Sequence, residues 1–256
     1  MNTHLSQKPT HKNIKIKNDM QAGTIHKSNS CGEFEIIEYV NSNKVKVRFI
    51  KTGYTLLTVA QSIRKGLVKD ALQPSVYGVG FIGDGIHRSS VGRKHTKEYN
   101  IWKSILQRCY DTKSQEKNRT YIGCSVSPVW HNFQNFAEWF NNNYIEGYHI
   151  DKDLKIKGNK VYSPETCLFV PRSLNNLFLD RAICRGKYPV GVSFYKREGK
   201  FSAEISIEGK RRSIGMFSTY EQASVAYQQA RSSKIKRIIE SNVYGTYLTQ
   251  FIGQHI

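Results

Sequence analysis

Residues 191–217 read GVSFYKREGKFSAEISIEGKRRSIGMF, and this stretch decides the fold of the C-terminal part of the chain. Residues 200–207 alternate strictly between polar and apolar side chains, which is typical of a β-strand with one buried face. Glu-Gly pairs at 198–199 and 208–209 mark tight turns, and connections this short require antiparallel neighbours. The stretch therefore predicts a three-stranded antiparallel sheet. Its apolar face includes Phe201, Ala203, Ile205 and Ile207.

A helix is predicted directly after this sheet. Capping-box spacing occurs twice at its start, in Ser218 with Glu221 and in Thr219 with Gln222. An apolar stripe at helical spacing follows, and its small residues let the helix lie close to the sheet. The stripe consists of Ala223, Ala226, Tyr227 and Ala230. We expect the helix to cover one sheet face and to leave the other free. The free face would carry Lys200, Ser202, Glu204, Ser206, Arg211 and Ser213.

The charge of the chain indicates a polyanionic partner. Lys and Arg total 39 against 20 Asp and Glu, which gives a net charge of +19 and a pI of about 9.7. Residues 185–237 alone hold 12 Lys or Arg and 4 Glu, a net charge of +8 in 53 residues. A basic, uncovered antiparallel sheet can enter the major groove of duplex DNA. Duplex RNA is an alternative partner, but the narrow major groove of an RNA helix suits such a sheet less well.

Membrane and secretion signals are not found in the sequence. No stretch approaches the roughly 18 to 20 apolar residues that span a bilayer, and residues 1–30 lack the apolar run of a signal peptide. We therefore expect no membrane partner and a location in the cytoplasm. The five cysteines are scattered and form no CxxC pair, so a structural zinc site is not indicated.

The segment from Tyr188 to Ala230 resembles the APETALA-type domain of plant ethylene-response factors, which phage HNH endonucleases also carry. The matching residues are Gly191-Val192, Gly199-Lys200-Phe201, Ala203-Glu204-Ile205, Gly209, Arg211, Ile214-Gly215, Phe217, Thr219, Glu221, Ala223 and Ala226-Tyr227. In that family the free sheet face reads bases with Arg and Trp. Arg211 and Glu204 keep the family's residue types, whereas Ser193, Tyr195, Ser206 and Ser213 replace Arg or Trp. Lys196, Arg197, Lys210 and Arg212 are expected to contact phosphates.

A second resemblance covers the middle of the chain, from Tyr99 to Leu179, which is similar to phage HNH endonucleases linked to group I introns. The matching run comprises Trp102, Arg108-Cys109-Tyr110, Tyr121, Cys124, Trp130, Phe133, Phe136, Trp139, Asp151-Lys152-Asp153, Gly158-Asn159, Tyr162–Cys167 and Asn175-Asn176. The resemblance implies a ββα-metal module in which two short strands and a helix hold one divalent ion. In the family, a histidine directly follows the first metal-binding aspartate and acts as general base.

This sequence departs from the family at the catalytic position. Asp151 matches the metal ligand, but Lys152 stands where the family has histidine, and an ordinary lysine is protonated at pH 7. Thr166 replaces the amide that orients the base, and Asn175 or Asn176 would supply the distal ligand. One hypothesis is a nuclease scaffold that has lost its base and only binds DNA. The alternative is an active Mg²⁺-dependent nickase of the homing type, with His149 or His131 as an atypical base.

Together these patterns predict a modular α+β phage protein that binds duplex DNA in the cytoplasm of a bacterial host. Its oligomeric state, target sequence and small-molecule ligands are not specified by the sequence, and no small-molecule substrate is expected. The predicted modules are a disordered basic arm (1–30), a small barrel-like β module (31–73), a linker (74–98), the HNH-like module (99–182), the APETALA-type domain (186–242) and a C-terminal tail (243–256).

Overall fold

The structure is a computed structural model that describes residues 17–178, 187–207 and 209–253. The fold is α+β, as predicted. The chain divides into two units, one formed by residues 17–73 with 81–84 and the other by residues 74–80 with 85–253. Within the described residues, none of the helices is both long and apolar enough to cross a membrane.

The first unit is built on a four-stranded antiparallel sheet. Its strands follow one another in chain order: β1 (Ile25–Ser28), β2 (Gly32–Asn41), β3 (Lys44–Phe49) and β4 (Thr55–Thr58). A short helix, α1 (Ala60–Arg64), follows β4. Because β3 alternates, its Val45, Val47 and Phe49 side chains are buried, whereas its three cations are exposed. The core of this unit consists of Met20, Phe34, Ile36, Val45, Val47, Phe49, Ala60, Ile63 and Val68.

Two predictions for this region need correction. The four strands form an open sheet and, within the described residues, do not close into a barrel. The disordered arm was predicted to extend to residue 30, but residues 17–30 belong to the sheet unit, because Met20 is buried in its core and β1 pairs with β2. Residues 1–16 of the predicted arm lie outside the described residues.

The exposed cations of β3 face acids on the neighbouring strand. Arg48 lies opposite Glu35 and forms an ion pair with it, and Lys46 lies opposite Glu38. Cross-strand pairs of opposite charge stabilise a sheet modestly, and the acid offsets the positive charge of the cation that it faces. Two of the three cations of this strand therefore face an acid, whereas Lys44 lies opposite Asn41.

Residues 74–98 were predicted as a linker rich in glycine, but residues 74–80 and 85–98 are part of the second unit. A Cβ atom at Gly80 would lie 2.5 Å from Leu106 Cδ1, and one at Gly85 would lie 2.4 Å from Gln134 Oε1. Glycine is therefore needed at these two positions for close approach of the backbone. The segment ends in a hairpin of β5 (Ser90–Val91) and β6 (Lys94–His95).

The helical part of the second unit has an aromatic core. It contains α2 (Lys97–Tyr110), α3 (Thr112–Lys117) and α4 (Phe133–Asn143). In the sequence, Tyr99, Trp102, Leu106 and Cys109 recur at helical spacing, and a second run of aromatic residues extends from Trp130 to Phe140. These patterns predict two helices whose aromatic residues form core, and α2 and α4 confirm both helices. Trp102, Trp130, Phe133 and Phe136 are fully buried, and the indole N–H of Trp102 donates to the Trp130 carbonyl at 2.6 Å. The predicted role of these aromatic residues as core is confirmed.

The remaining strands and helices of this unit contain both predicted sites. Short β7 (Ser125–Val126) pairs in parallel with β9 (Val161–Tyr162), and β8 (Tyr148–Asp151) pairs antiparallel with β10 (Leu168–Pro171), which leads into α5 (Arg172–Phe178). A three-stranded antiparallel sheet follows, with β11 (Val192–Tyr195) and β13 (Lys210–Phe217) on either side of β12 (Lys200–Ile207). The chain then forms α6 (Tyr220–Ser241) and, within the predicted tail, α7 (Gly245–Ile252).

Candidate nucleic-acid interface

Strand register decides which side chains of the C-terminal sheet share a face. Ser193 lies opposite Ser202, Tyr195 opposite Lys200, Glu204 opposite Ser213, and Ser206 opposite Arg211. Directly opposed residues point to the same face of a sheet. The register therefore places eight of these side chains on one surface, which we call the free face. Seven of them were predicted as DNA-binding residues: Ser193, Tyr195, Lys200, Glu204, Ser206, Arg211 and Ser213.

A β-bulge in β13 adds a residue that the sequence did not assign to this face. The register shifts between Ala203 and Glu204, because Ala203 pairs with Gly215 whereas Glu204 pairs with Ser213. Ile214 is the extra residue, and strict alternation fails across it. As a result Met216, opposite Ser202, joins the free face with 39% of its surface exposed. Phe217 moves to the opposite face, where it pairs with Phe201.

The opposite face of the sheet is covered by α6 and by aromatic side chains. Ala203 and Ala223 are both fully buried, so the small residues bring helix and sheet into close contact. Near the start of α6, the rings of Tyr188, Phe194 and Phe201 pack at centroid separations of 5.1 to 6.4 Å. Thr219 caps the helix by accepting a hydrogen bond from the Gln222 N–H at 3.3 Å. The helix thereby occupies one face and leaves the other accessible.

Cations surround the free face on several sides. On the face itself, Arg211 is 88% exposed in its side chain, and its Nη1 lies 3.9 Å from Glu204 Oε2. Lys196 and Arg197 extend from the turn between β11 and β12 and are exposed. Lys210 and Arg212 lie opposite Ile207 and Ile205, so they belong to the helix-covered side of β13 but remain exposed. The exposed hydroxyls of the face belong to Ser193, Ser206 and Ser213, since Ser202 is buried, and the cations lie mostly at the margins.

One helix lysine contacts the sheet backbone. Lys234 of α6 donates from Nζ to the Ser206 carbonyl at 2.7 Å. Burial lowers the pKa of this ammonium. Lys234 was not predicted as a functional residue, and its contact indicates a role in fixing the helix on the sheet.

The second predicted site begins at the end of β8, where the Asp151 carboxylate closes a turn. Its Oδ1 accepts hydrogen bonds from the backbone N–H groups of Asp153 at 2.8 Å and Leu154 at 2.7 Å. Burial raises the pKa of the Asp151 carboxyl, and the two N–H groups oppose that rise. The observed role of this side chain is to organise the loop that follows β8.

Lys152, at the position where the family has histidine, is buried inside the same loop. Its side chain is 8% exposed, and Nζ donates to the Asn159 carbonyl at 2.7 Å and to Asp153 Oδ1 at 2.6 Å. The ammonium also lies 5.8 Å from the centroid of the Tyr162 ring. In return, Asn159 Nδ2 donates to the Lys152 carbonyl at 2.8 Å. These contacts engage the ammonium in bonds within the loop.

Within the described residues, no hydrogen bond or ion pair joins the other predicted nuclease residues to one another. His149 is exposed on β8, two residues before Asp151, and His131 bonds through Nε2 to the Val126 carbonyl at 3.1 Å. Asn175 is half-buried and Asn176 exposed on α5. Thr166 donates to the Val161 carbonyl at 2.8 Å. Across the described residues, no group of three His, Cys, Asp or Glu side chains is arranged to hold a metal ion.

No protein-family model, no curated protein and no solved structure matches this chain. The interpretation of both sites therefore depends on their geometry and chemistry.

Proposed function

We propose that the protein binds duplex DNA through the free face of its C-terminal sheet. The observation that carries this proposal is the asymmetry of the sheet: α6 covers one face, while the other presents hydroxyls, Lys200 and Arg211 to solvent. A twisted antiparallel sheet of this kind fits the width of a B-form major groove. The cations at its margins are positioned for phosphates, and the hydroxyls and Tyr195 for base edges.

The serine-rich centre of the face has a consequence for selectivity. A hydroxyl makes fewer and less selective hydrogen bonds than a bidentate guanidinium. Arg211, the one guanidinium on this face among the described residues, has Glu204 beside it. We therefore expect strong dependence of affinity on salt and modest discrimination between DNA sequences.

The first experiment is a titration of fluorescent duplex DNA with the full chain at several salt concentrations. In the combined variant Lys196→Ala/Lys200→Ala/Arg211→Ala, we expect the slope of log affinity against log salt to fall by about 2 to 3. The matched control removes three exposed lysines from α2 and α3, as Lys103→Ala/Lys113→Ala/Lys117→Ala. An unchanged slope and affinity in the sheet variant would refute the proposal.

We further propose that the β8–β10–α5 part is a nuclease-like scaffold that contacts DNA without cutting it. Strands β8 and β10 pair and lead into α5, which supports the ββα-metal module that the resemblance to phage HNH endonucleases implies. A protein of this class would be of phage origin and would act in the cytoplasm of a bacterial host. The hydrogen bonds of Lys152 within its loop support a structural role for the residue at the catalytic position. The alternative, a Mg²⁺-dependent nickase, would need another base, such as the exposed His149.

Incubation with supercoiled plasmid in Mg²⁺ or Mn²⁺ separates these two functions. A chain that only binds leaves the plasmid supercoiled at high protein concentration. Cleavage that disappears in Asp151→Ala, while duplex affinity is retained, would establish the nickase instead.

A further inference from the structure

The hairpin formed by β5 and β6 carries an uncompensated positive charge. Residues 85–97 contain Arg88, Arg93, Lys94 and Lys97 and no Asp or Glu. Lys97 forms an ion pair with Glu146 at 2.5 Å. Arg88, Arg93 and Lys94 are exposed, and none of them has an ion pair with an acidic residue in the described ranges.

The contrast with the first unit of the same chain is informative. There, two of the three exposed cations of β3, Arg48 and Lys46, face Glu35 and Glu38 across the strand pair. In the hairpin the cross-strand pairs are Ser90 with His95 and Val91 with Lys94, so no acid faces a cation. Clustered like charges repel one another and raise the free energy of the folded state unless an anion is bound. The hairpin is therefore suited to an external anion.

The backbone of the hairpin is fixed to the helical core. Gln134 of α4, which is 8% exposed, clamps His87 from both sides: its Oε1 accepts from the His87 N–H at 2.9 Å, and its Nε2 donates to the His87 carbonyl at 3.0 Å. Thr96 N donates to the Ser89 carbonyl at 3.1 Å, and Thr96 Oγ1 donates to the Arg88 carbonyl at 3.2 Å. Thr96 also caps α2, so the hairpin leads directly into that helix.

Side chains of the hairpin add to this attachment. Ser90 Oγ and His95 Nδ1 lie 2.8 Å apart across the strand pair, and the His95 ring packs on Tyr99 at a centroid separation of 4.7 Å. Because the backbone of the hairpin is already ordered, a ligand binds this surface at a lower entropic cost. The segment is thus a preformed basic ribbon.

We propose that this ribbon is a second DNA-contacting element, which binds the phosphate backbone of the duplex held by the C-terminal sheet. The inference rests on the proposed duplex binding and extends it to a separate surface. Strands of two residues are too short to follow a groove, so the ribbon positions the duplex and does not read its sequence. Arg88, Arg93 and Lys94 are the contacting residues.

The test uses the full chain and two duplexes of unrelated sequence. For Arg88→Ala/Arg93→Ala/Lys94→Ala we expect the salt slope to fall by about 2 to 3, because each lost phosphate contact reduces it by about 0.9. The loss of affinity should be the same factor on both duplexes, since phosphate contacts carry no sequence information. The charge-matched control is again Lys103→Ala/Lys113→Ala/Lys117→Ala, and Arg88→Lys/Arg93→Lys should retain the wild-type slope.

The outcomes separate this inference from the proposed function. If the sheet variant loses affinity and the hairpin variant behaves as the control, the ribbon inference is overturned while the sheet proposal stands. A loss confined to one of the two duplexes would also overturn it, because the ribbon would then be a sequence reader. If the wild-type chain binds neither duplex, both proposals fail. A single charge reversal, Arg93→Glu at the turn, should weaken binding more than Lys113→Glu does; equal effects would count against the ribbon.

Discussion

Asp151 and Lys152 are adjacent in sequence, and the side chains of both form hydrogen bonds within the loop that follows β8. Asp151 accepts two backbone N–H groups, whereas the Lys152 ammonium bonds to Asp153 and to the Asn159 carbonyl. Alternation along a strand predicted that the two side chains would point apart. It did not predict the acceptors of Lys152, because these lie in the loop and depend on how that loop closes.

The capping role of Asp151 leads to a prediction for stability against pH. Because burial raises the pKa of its carboxyl in the folded state, the folded chain binds this proton more tightly than the unfolded chain does. Protonated Asp151 therefore stabilises the folded chain fully below about pH 4, the ordinary pKa of aspartate in an unfolded chain. This contribution is lost as the pH rises through the raised pKa of the folded state. Asp151→Asn keeps an oxygen acceptor and removes the charge. We expect its free energy of unfolding at pH 7 to equal or exceed that of the wild type.

Urea unfolding at about pH 3 and pH 7 checks this expectation. Any advantage of Asp151→Asn at pH 7 should shrink at pH 3, where the wild-type carboxyl is protonated. Asp151→Ala is the control, since it leaves both N–H groups without their acceptor and should cost about 1 to 3 kcal/mol. If Asp151→Asn is as unstable as the alanine variant, the capping role assigned to Oδ1 is wrong.

At the scale of single elements, the C-terminal sheet was largely predictable from sequence. Alternation and turn glycines are local signals, and they located β11, β12, β13 and the start of α6. Of the two possible caps, Thr219 is the one observed. The bulge at Ile214 was not predictable, because it is a property of the pairing between two strands. For that reason Met216 was missing from the predicted face.

Gly191 shows how an element-level contact fixes a residue type. Its φ is +76°, and a Cβ atom there would lie 2.1 Å from Cδ2 of the Tyr227 ring on α6. Gly209 has the same φ of +76° but no heavy atom within 4 Å of its Cβ position. Gly191→Ala thus combines left-handed strain with a steric clash, whereas Gly209→Ala causes the strain alone.

We expect Gly191→Ala to lower the free energy of unfolding by at least about 1 kcal/mol more than Gly209→Ala does, which is the usual cost of overpacking. Urea unfolding of the two variants, followed by circular dichroism, gives this difference directly. Equal losses would mean that Tyr227 does not pack on Gly191, and the close contact between α6 and β11 would have to be discarded.

At the scale of the molecule, the largest difference from the sequence-based prediction is that α6 and α7 join two parts expected to be separate modules. Leu154, Leu168, Val170 and Leu174 from the β8–β10–α5 part share one buried cluster with Ile235, Leu248 and Ile252. Sequence periodicity identifies an apolar helix face but not its partner, which here lies 61 to 98 residues earlier in the chain. Similarly, the glycines of residues 74–98 indicated a flexible linker. The side chains that pack on Gly80 and Gly85 are distant in sequence, so local sequence did not reveal these contacts.

This shared cluster predicts that the C-terminal sheet and the β8–β10 strands unfold together. Ile235 is fully buried in the cluster, so Ile235→Ala should cost about 2 to 5 kcal/mol. Val225 lies on the same helix but is 57% exposed, and Val225→Ala should cost less than about 0.5 kcal/mol. Because α6 contacts both parts, hydrogen exchange of the β8–β10 backbone amides should accelerate in Ile235→Ala along with that of β12 and β13. Exchange that accelerates in only one of the two sheets would show that they unfold independently, and the shared cluster would then not couple them.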